Sequence, residues 1–142
     1  MISILVWPSG AWERKMRKTI QTENSPQAIG VYSQGIIARQ MVFTSGQIAI
    51  DPATGNIVVD DFRDEVRQVL KNLSAVLEAG GSALDHVVKC TVFMKDLGQF
   101  STLNEVFGEF FPHDPPARSA VEVCALPKNV NVEIEAIGMI ID

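Results

Sequence analysis

"DFRDEVRQVLKNLSAVLEAGG", residues 61–81, is the stretch around which the rest of the chain has to be built. Phe62, Val66, Val69, Leu70, Leu73, Val76 and Leu77 recur with the spacing of one face of an α-helix. Asp60 or Asp61 can cap its first turn, and Gly80-Gly81 supplies a left-handed stop. Asp64, Glu65, Arg67, Gln68, Lys71 and Asn72 fall on the other face, which is expected to be in water. A helix apolar on one side needs an apolar surface to lie on.

The flanking sequence supplies it. "RKTIQT" (17–22) is a short candidate strand, and "AIGVYSQGIIARQMVFTSGQIAI" (28–50) reads as two strands around a turn near Arg39-Gln40. "DPATGN" (51–56) is dense turn chemistry. "HVVKCTVFMKD" (86–96) is apolar at nearly every position, which predicts a strand covered on both faces. A second helix is expected over 102–111, with Leu103, Val106, Phe107 and Phe110 inward, Thr102/Glu105 as a capping box, and "PHDPP" ending it. Two strands, 119–125 and 130–141, close the chain. This order predicts an α+β fold, a mixed sheet of about six strands with two helices on one face. The helices leave the other face bare, and "AIGMII" (136–141) is apolar on both sides, so self-association is expected.

At 142 residues the chain suits a single domain, read as residues 16–142 behind an N-terminal extension, 1–15, outside the core. The apolar run Ile2–Trp7 lacks a preceding basic segment and is far too short to span a membrane, so no membrane partner is expected. A net charge of −5 argues against a phosphate-binding surface, so no nucleic-acid partner is expected; "WERKMRK" (12–18) reads as a solvated basic segment. Cys90 and Cys124 lie far apart in apolar stretches, as small core residues suited to a reducing cytoplasm. His86 and His113 lack ligand spacing, so no metal is expected.

Arg118 places a permanent charge at the start of the penultimate strand. If the last two strands form a hairpin with an even loop at 126–129, period two puts Arg118 on the same face as Glu133 and Glu135. Two readings stay open: a clamp for a small carboxylate with an acid nearby, or a cross-strand ion pair worth ~0–1 kcal/mol. A bulge would break the parity.

Four segments together resemble the reactive-intermediate deaminase family, RidA, also called YjgF: "TENSPQAIGVYSQG" (22–35), "FTSGQIAIDPATGNI" (43–57), "VVKCTVFMKDLGQFSTLNEVFGEFF" (87–111) and "PPARSAVEVCALPKNVNVEIEAIGMI" (115–140). The resemblance implies a chorismate-mutase-like fold, a homotrimer with a central barrel, and sites in the clefts between subunits. It also implies cofactor-independent hydrolysis of 2-imino acids and their enamine tautomers, notably 2-iminobutanoate and 2-iminopropanoate, to 2-keto acids and ammonia. By position it gives Arg118 as the carboxylate binder and Glu133 as the residue that handles the catalytic water. Ser119, Ala120, Tyr32, Ser45, Gly46 and Asn104 are the remaining pocket positions. Ala120 stands where cysteine is frequent, so a backbone carbonyl role survives there and a thiol role does not; Val31 stands where proline is common. The alternative expectation is a keto-acid-binding protein without turnover, or a chaperone-like or translation-inhibitor-type protein.

Overall fold

In the computed structural model, which describes residues 16–141, helix α1 runs over Phe62–Ala79. Asp61 Oδ1 accepts the N–H of Arg63 at 2.7 Å and that of Asp64 at 3.4 Å, which caps the first turn. At the other end Gly81 adopts φ +84°, and the Gly81 and Ser82 N–H groups donate to the Glu78 and Leu77 carbonyls at 3.0 and 2.9 Å. That is a Schellman stop of the kind the paired glycines predict. The reading of residues 1–15 lies outside the described residues.

Six strands form one sheet: β1 (Arg17–Ile20), β2 (Gly35–Ala38), β3 (Met41–Thr44), β4 (Val87–Met94), β5 (Ala117–Glu122) and β6 (Val132–Met139). Their spatial order is β1-β2-β3-β6-β4-β5. All neighbours are antiparallel except β4 and β5, so the sheet is mixed. The β2–β3 hairpin turns at Arg39-Gln40 as expected, with Arg39 at φ 54°. Helix α1 packs over β6 and β3 and alongside helix α2 (Phe100–Phe110), and both helices bury the same sheet face. Leu70, Leu73 and Leu77 of α1 meet Val42, Val92, Met94 and Ile134 of the sheet, all fully buried. On the opposite face Phe43, Val88 and Met139 are exposed. Strand β4 alternates accordingly, with Cys90, Val92 and Met94 buried and Lys89, Thr91 and Phe93 only half-buried. The chain therefore covers β4 on one face, not the expected two. Among the described residues no helix is long and apolar enough to cross a membrane.

Several expectations are corrected. Strands β5 and β6 do not form a hairpin: β4 lies between them, parallel to β5 and antiparallel to β6. A parallel neighbour needs a crossover, and α2 provides it between β4 and β5. Helix α2 begins at Phe100, after a 3₁₀ turn at Leu97–Gln99 whose Gly98 N–H is held by Asp96 Oδ1 at 2.7 Å. Thr102 is thus inside the helix, and no Thr102/Glu105 capping box forms. Cys90 is core, and burial pushes its thiol up to about 11; Cys124 is exposed.

The polar face of α1 is also not all in water. Glu65 and Asn72 are buried, and each secures a connecting segment. Asn72 Nδ2 donates to the carbonyls of Ile48 and Ile50 at 3.0 and 2.8 Å. Glu65 accepts from Asn131 N at 2.7 Å and from Asn131 Nδ2 at 2.8 Å. Asn131 therefore turns toward α1 and does not continue the Glu133–Glu135 face. Asn72→Ala should leave the two carbonyls without their donor and cost about 1–3 kcal/mol. Urea unfolding should show a lower midpoint with an unchanged slope.

Candidate functional site

Arg118 pairs with Cys90 in the β4–β5 ladder, so its side chain leaves the sheet on the helix side. There its guanidinium carbon lies 4.7 Å from the Phe107 ring centre and 5.3 Å from that of Phe100, and Nη2 donates to Asn104 Oδ1 at 2.7 Å. Phe100, Asn104 and Phe107 stand at i, i+4 and i+7 of α2 and so share one face. Two aromatic rings and one amide fix the plane of the cation while leaving most of its donors for another group. Among the described residues no carboxylate pairs with it. Arg118 and Asn104 border an open cavity of about 390 Å³, walled by Phe107, Phe111, Pro115 and Pro116. Ala120 lies on this same side of β5, next to Val92.

Glu133 pairs with Phe93 and leaves the sheet on the other side. It lines a second cavity, of about 500 Å³, with Tyr32, Ser45, Gly46, Gln47 and Glu135. A β-carbon at Gly46 would stand 2.8 Å from Glu133 Cδ and closer still to Oε1, so any side chain there would push this carboxylate out of its present position. Burial, and secondarily the Glu135 charge, hold the Glu133 carboxyl above the usual carboxylate range. A carboxylate of raised proton affinity beside an open cavity is suited to accept a proton from water.

A polar network shapes this second cavity. Gln34 Nε2 donates to the carbonyls of Thr22, Ser25 and Pro26 at 3.0, 3.2 and 2.7 Å, while Gln34 Oε1 accepts the Thr22 N–H at 2.7 Å. Ser25 Oγ donates to Gln47 Oε1 at 3.0 Å. The Gln47 backbone exchanges hydrogen bonds of 2.8 and 3.1 Å with Ile134, the residue after Glu133. Ser45 Oγ donates to Ser33 O at 2.6 Å, and exposed Tyr32 accepts the Ile29 N–H at Oη, at 3.3 Å. Ser119 also faces this side of the sheet, where its Oγ accepts from Lys89 Nζ at 2.9 Å.

The eight candidate residues thus fall into two groups on opposite faces. Arg118, Asn104 and Ala120 lie toward the helices; Glu133, Tyr32, Ser45, Gly46 and Ser119 lie on the open side. The parity argument that put Arg118 and Glu133 on one face fails because it assumed the hairpin. Sequence reading missed Gln34 and Gln47, and it assigned Phe107 to the core alone. The helical spacing from Phe100 through Asn104 to Phe107 was the available signal for an aromatic seat under Arg118.

A family model described as endoribonuclease L-PSP matches residues 22–140. The chain belongs to this family, the one that includes YjgF and RidA. Among its RidA/YjgF-type relatives, a RutC family protein of Pyrococcus horikoshii is 53% identical over 123 residues, covering 87% of this chain and 98% of the relative. The 2-iminobutanoate/2-iminopropanoate deaminase of Salmonella typhimurium is 51% identical over 127 residues, covering 87% and 98%. The crystal structure of Escherichia coli TdcF with bound serine superposes with a TM-score of 0.83 at 46% identity, covering 86% of this chain and 98% of TdcF.

Two causes raise the Glu133 carboxyl, and Glu135→Gln removes the second of them. Carbon-detected NMR titration should therefore find Glu133 above an ordinary glutamic acid in the wild type and lower in Glu135→Gln. Equal titration in both proteins would remove the Glu135 contribution.

Proposed function

We propose that the chain is a hydrolytic deaminase of reactive 2-imino acids, acting on 2-iminobutanoate and 2-iminopropanoate at sites shared between neighbouring copies. The observation that carries this reading is the separation of Arg118 and Glu133 onto opposite sheet faces, each beside an open cavity. One chain cannot bring the two to one small substrate. A second copy bringing its Glu133 cavity against the Arg118 cavity can, and the exposed Phe43, Val88, Val121 and Met139 give such copies apolar surface to bury. A homotrimer closes this contact with three equivalent sites. The deaminase name carried by relatives near half identity supports the reaction, and serine bound to TdcF supports a pocket for a small amino-acid-like molecule.

The chemistry follows from the two groups. Arg118 holds the substrate carboxylate through charge-assisted bonds worth about 1.5–3 kcal/mol, which excludes amines that lack an acid. Glu133 takes a proton from water as the water oxygen bonds to the imine carbon. That proton passes to the nitrogen and gives a carbinolamine; the hydroxyl proton then moves by way of Glu133 to the same nitrogen as the carbon–nitrogen bond breaks, so that ammonia leaves a 2-keto acid. The Ala120 carbonyl supplies an acceptor near Arg118 for orienting the ligand. An imine is already electrophilic, so the reaction as written needs neither a covalent nucleophile nor a cofactor. Two free cysteines suit a reducing cytoplasm. The net charge of −5 gives RNA no general attraction.

Arg118→Ala should raise KM about ten- to a hundredfold, the loss of its charge-assisted bonds, and Glu133→Gln should lower kcat about 10²–10⁴. The test is keto-acid formation from imine generated in situ by a threonine dehydratase. Unchanged rates in both variants would remove the deaminase reading. Co-refolding equal amounts of the two variants, assayed at substrate well below the wild-type KM where both are strongly impaired, separates shared from single-chain sites. With shared sites about one site in four regains both groups, so about a quarter of wild-type activity returns. A mixture no more active than the average of its parents would place both groups within one chain's site.

A further inference from the structure

Glu65 is a fully buried carboxylate that the proposed chemistry does not use. It sits in the first turns of α1, on the helix face of the sheet, whereas Glu133 opens on the other face. Both of its oxygens are taken by a single residue, Asn131, through the main-chain N–H at 2.7 Å and Nδ2 at 2.8 Å. Among the described residues no cation pairs with it. A carboxyl group buried this completely is costly to desolvate, and fixing the position of the two donors that satisfy it is what the arrangement returns.

Asn131 is where that position matters. It directly precedes β6, and Glu133 is the second residue of that strand. The preceding loop carries two consecutive left-handed residues, Lys128 at φ 54° and Asn129 at φ 56°, a backbone that asparagine adopts readily and lysine rarely. Pro127 of the same loop lines the Glu133 cavity. On the far side the Asn131 carbonyl accepts the Lys95 N–H at 3.0 Å, so the residue is gripped from β4 and from α1 at once. The β4–β6 register that places Glu133 opposite Phe93 begins one residue later, at Val132.

We propose that Glu65 is a positioning residue for Glu133: by clamping Asn131 it fixes the start of β6 and holds the Glu133 carboxylate in the pocket left by Gly46. The inference rests on the reading of Glu133 as the base of an imine deaminase. In Glu65→Ala the loop relaxes and Glu133 is displaced by a fraction of an ångström to an ångström, a scale that can cost a hundredfold in rate. Glu65→Gln restores the clamp, because a glutamine offers one oxygen to the Asn131 N–H and its amide N–H to a flipped Asn131 Oδ1.

The experiment measures two quantities in wild type, Glu65→Ala, Glu65→Gln and Asn131→Ala, each well below its melting temperature. One is the Glu133 carboxyl titration by carbon-detected NMR, assigned through Glu133→Gln; the other is the split between kcat and KM for imine hydrolysis. The expected result for Glu65→Ala is a Glu133 titration moved toward that of an ordinary glutamic acid. Its kcat should fall about ten- to a hundredfold with KM within about twofold. Glu65→Gln should match wild type in both. If Glu65→Ala does not fold, Asn131→Ala, which keeps the main-chain bond, should show the same changes at smaller size. A lower melting temperature with unchanged titration and unchanged kcat would overturn the proposal and leave Glu65 a stabilising contact only. If Glu133→Gln stays fully active, the deaminase base has been misassigned; the titration of Glu133 still reports whether Glu65 positions it.

Discussion

Strand β4 lying between β5 and β6 is the constraint from which the rest of the structure follows. Its Cys90, Val92 and Met94 are sealed under the helices, so every partner residue in the two ladders inherits a side from them. Arg118 beside Cys90 must point to α2, and Glu133 opposite Phe93 must point away. A one-residue slip in either ladder would exchange these sides. The separation of cation and carboxylate is thus a property of strand pairing, not of side-chain conformers.

The two groups are held by opposite physical means. Aromatic faces with one amide oxygen orient the Arg118 guanidinium, and among the described residues no carboxylate pairs with it. Glu133 sits where burial and a like charge make ionisation harder, against a backbone brought close by a missing side chain. In the proposed reaction the carboxylate binder is thus a guanidinium seated on aromatic rings, and the proton acceptor a carboxyl whose surroundings raise its proton affinity.

How much of this was legible in the sequence depends on the distance over which each feature is encoded. Helix α1, its Asp61 cap and its glycine stop are local, and the residue spacing gave them directly. The β2–β3 turn is equally local. The placement of β5 was not, because parallel pairing through a crossover leaves no mark on the two strands themselves, and chain adjacency suggested a hairpin. Glu65 and Asn72 looked like solvent residues because polarity encodes preference for a partner as well as for water. The candidate site residues became visible through resemblance to a family; their grouping on two faces required the ladders.

Gly46 carries a consequence of another kind. The position is only half-buried, in a short segment after β3, where surface loops ordinarily accept almost any residue. Here the smallest possible enlargement collides with a carboxylate on a different strand. Tolerance to sequence drift at this position is therefore set by volume owed to Glu133, and an exposure-based guess at mutability would misjudge it. A half-open loop position can thus be constrained by the room that another residue's side chain occupies, and what a substitution there disturbs first is the placement of Glu133.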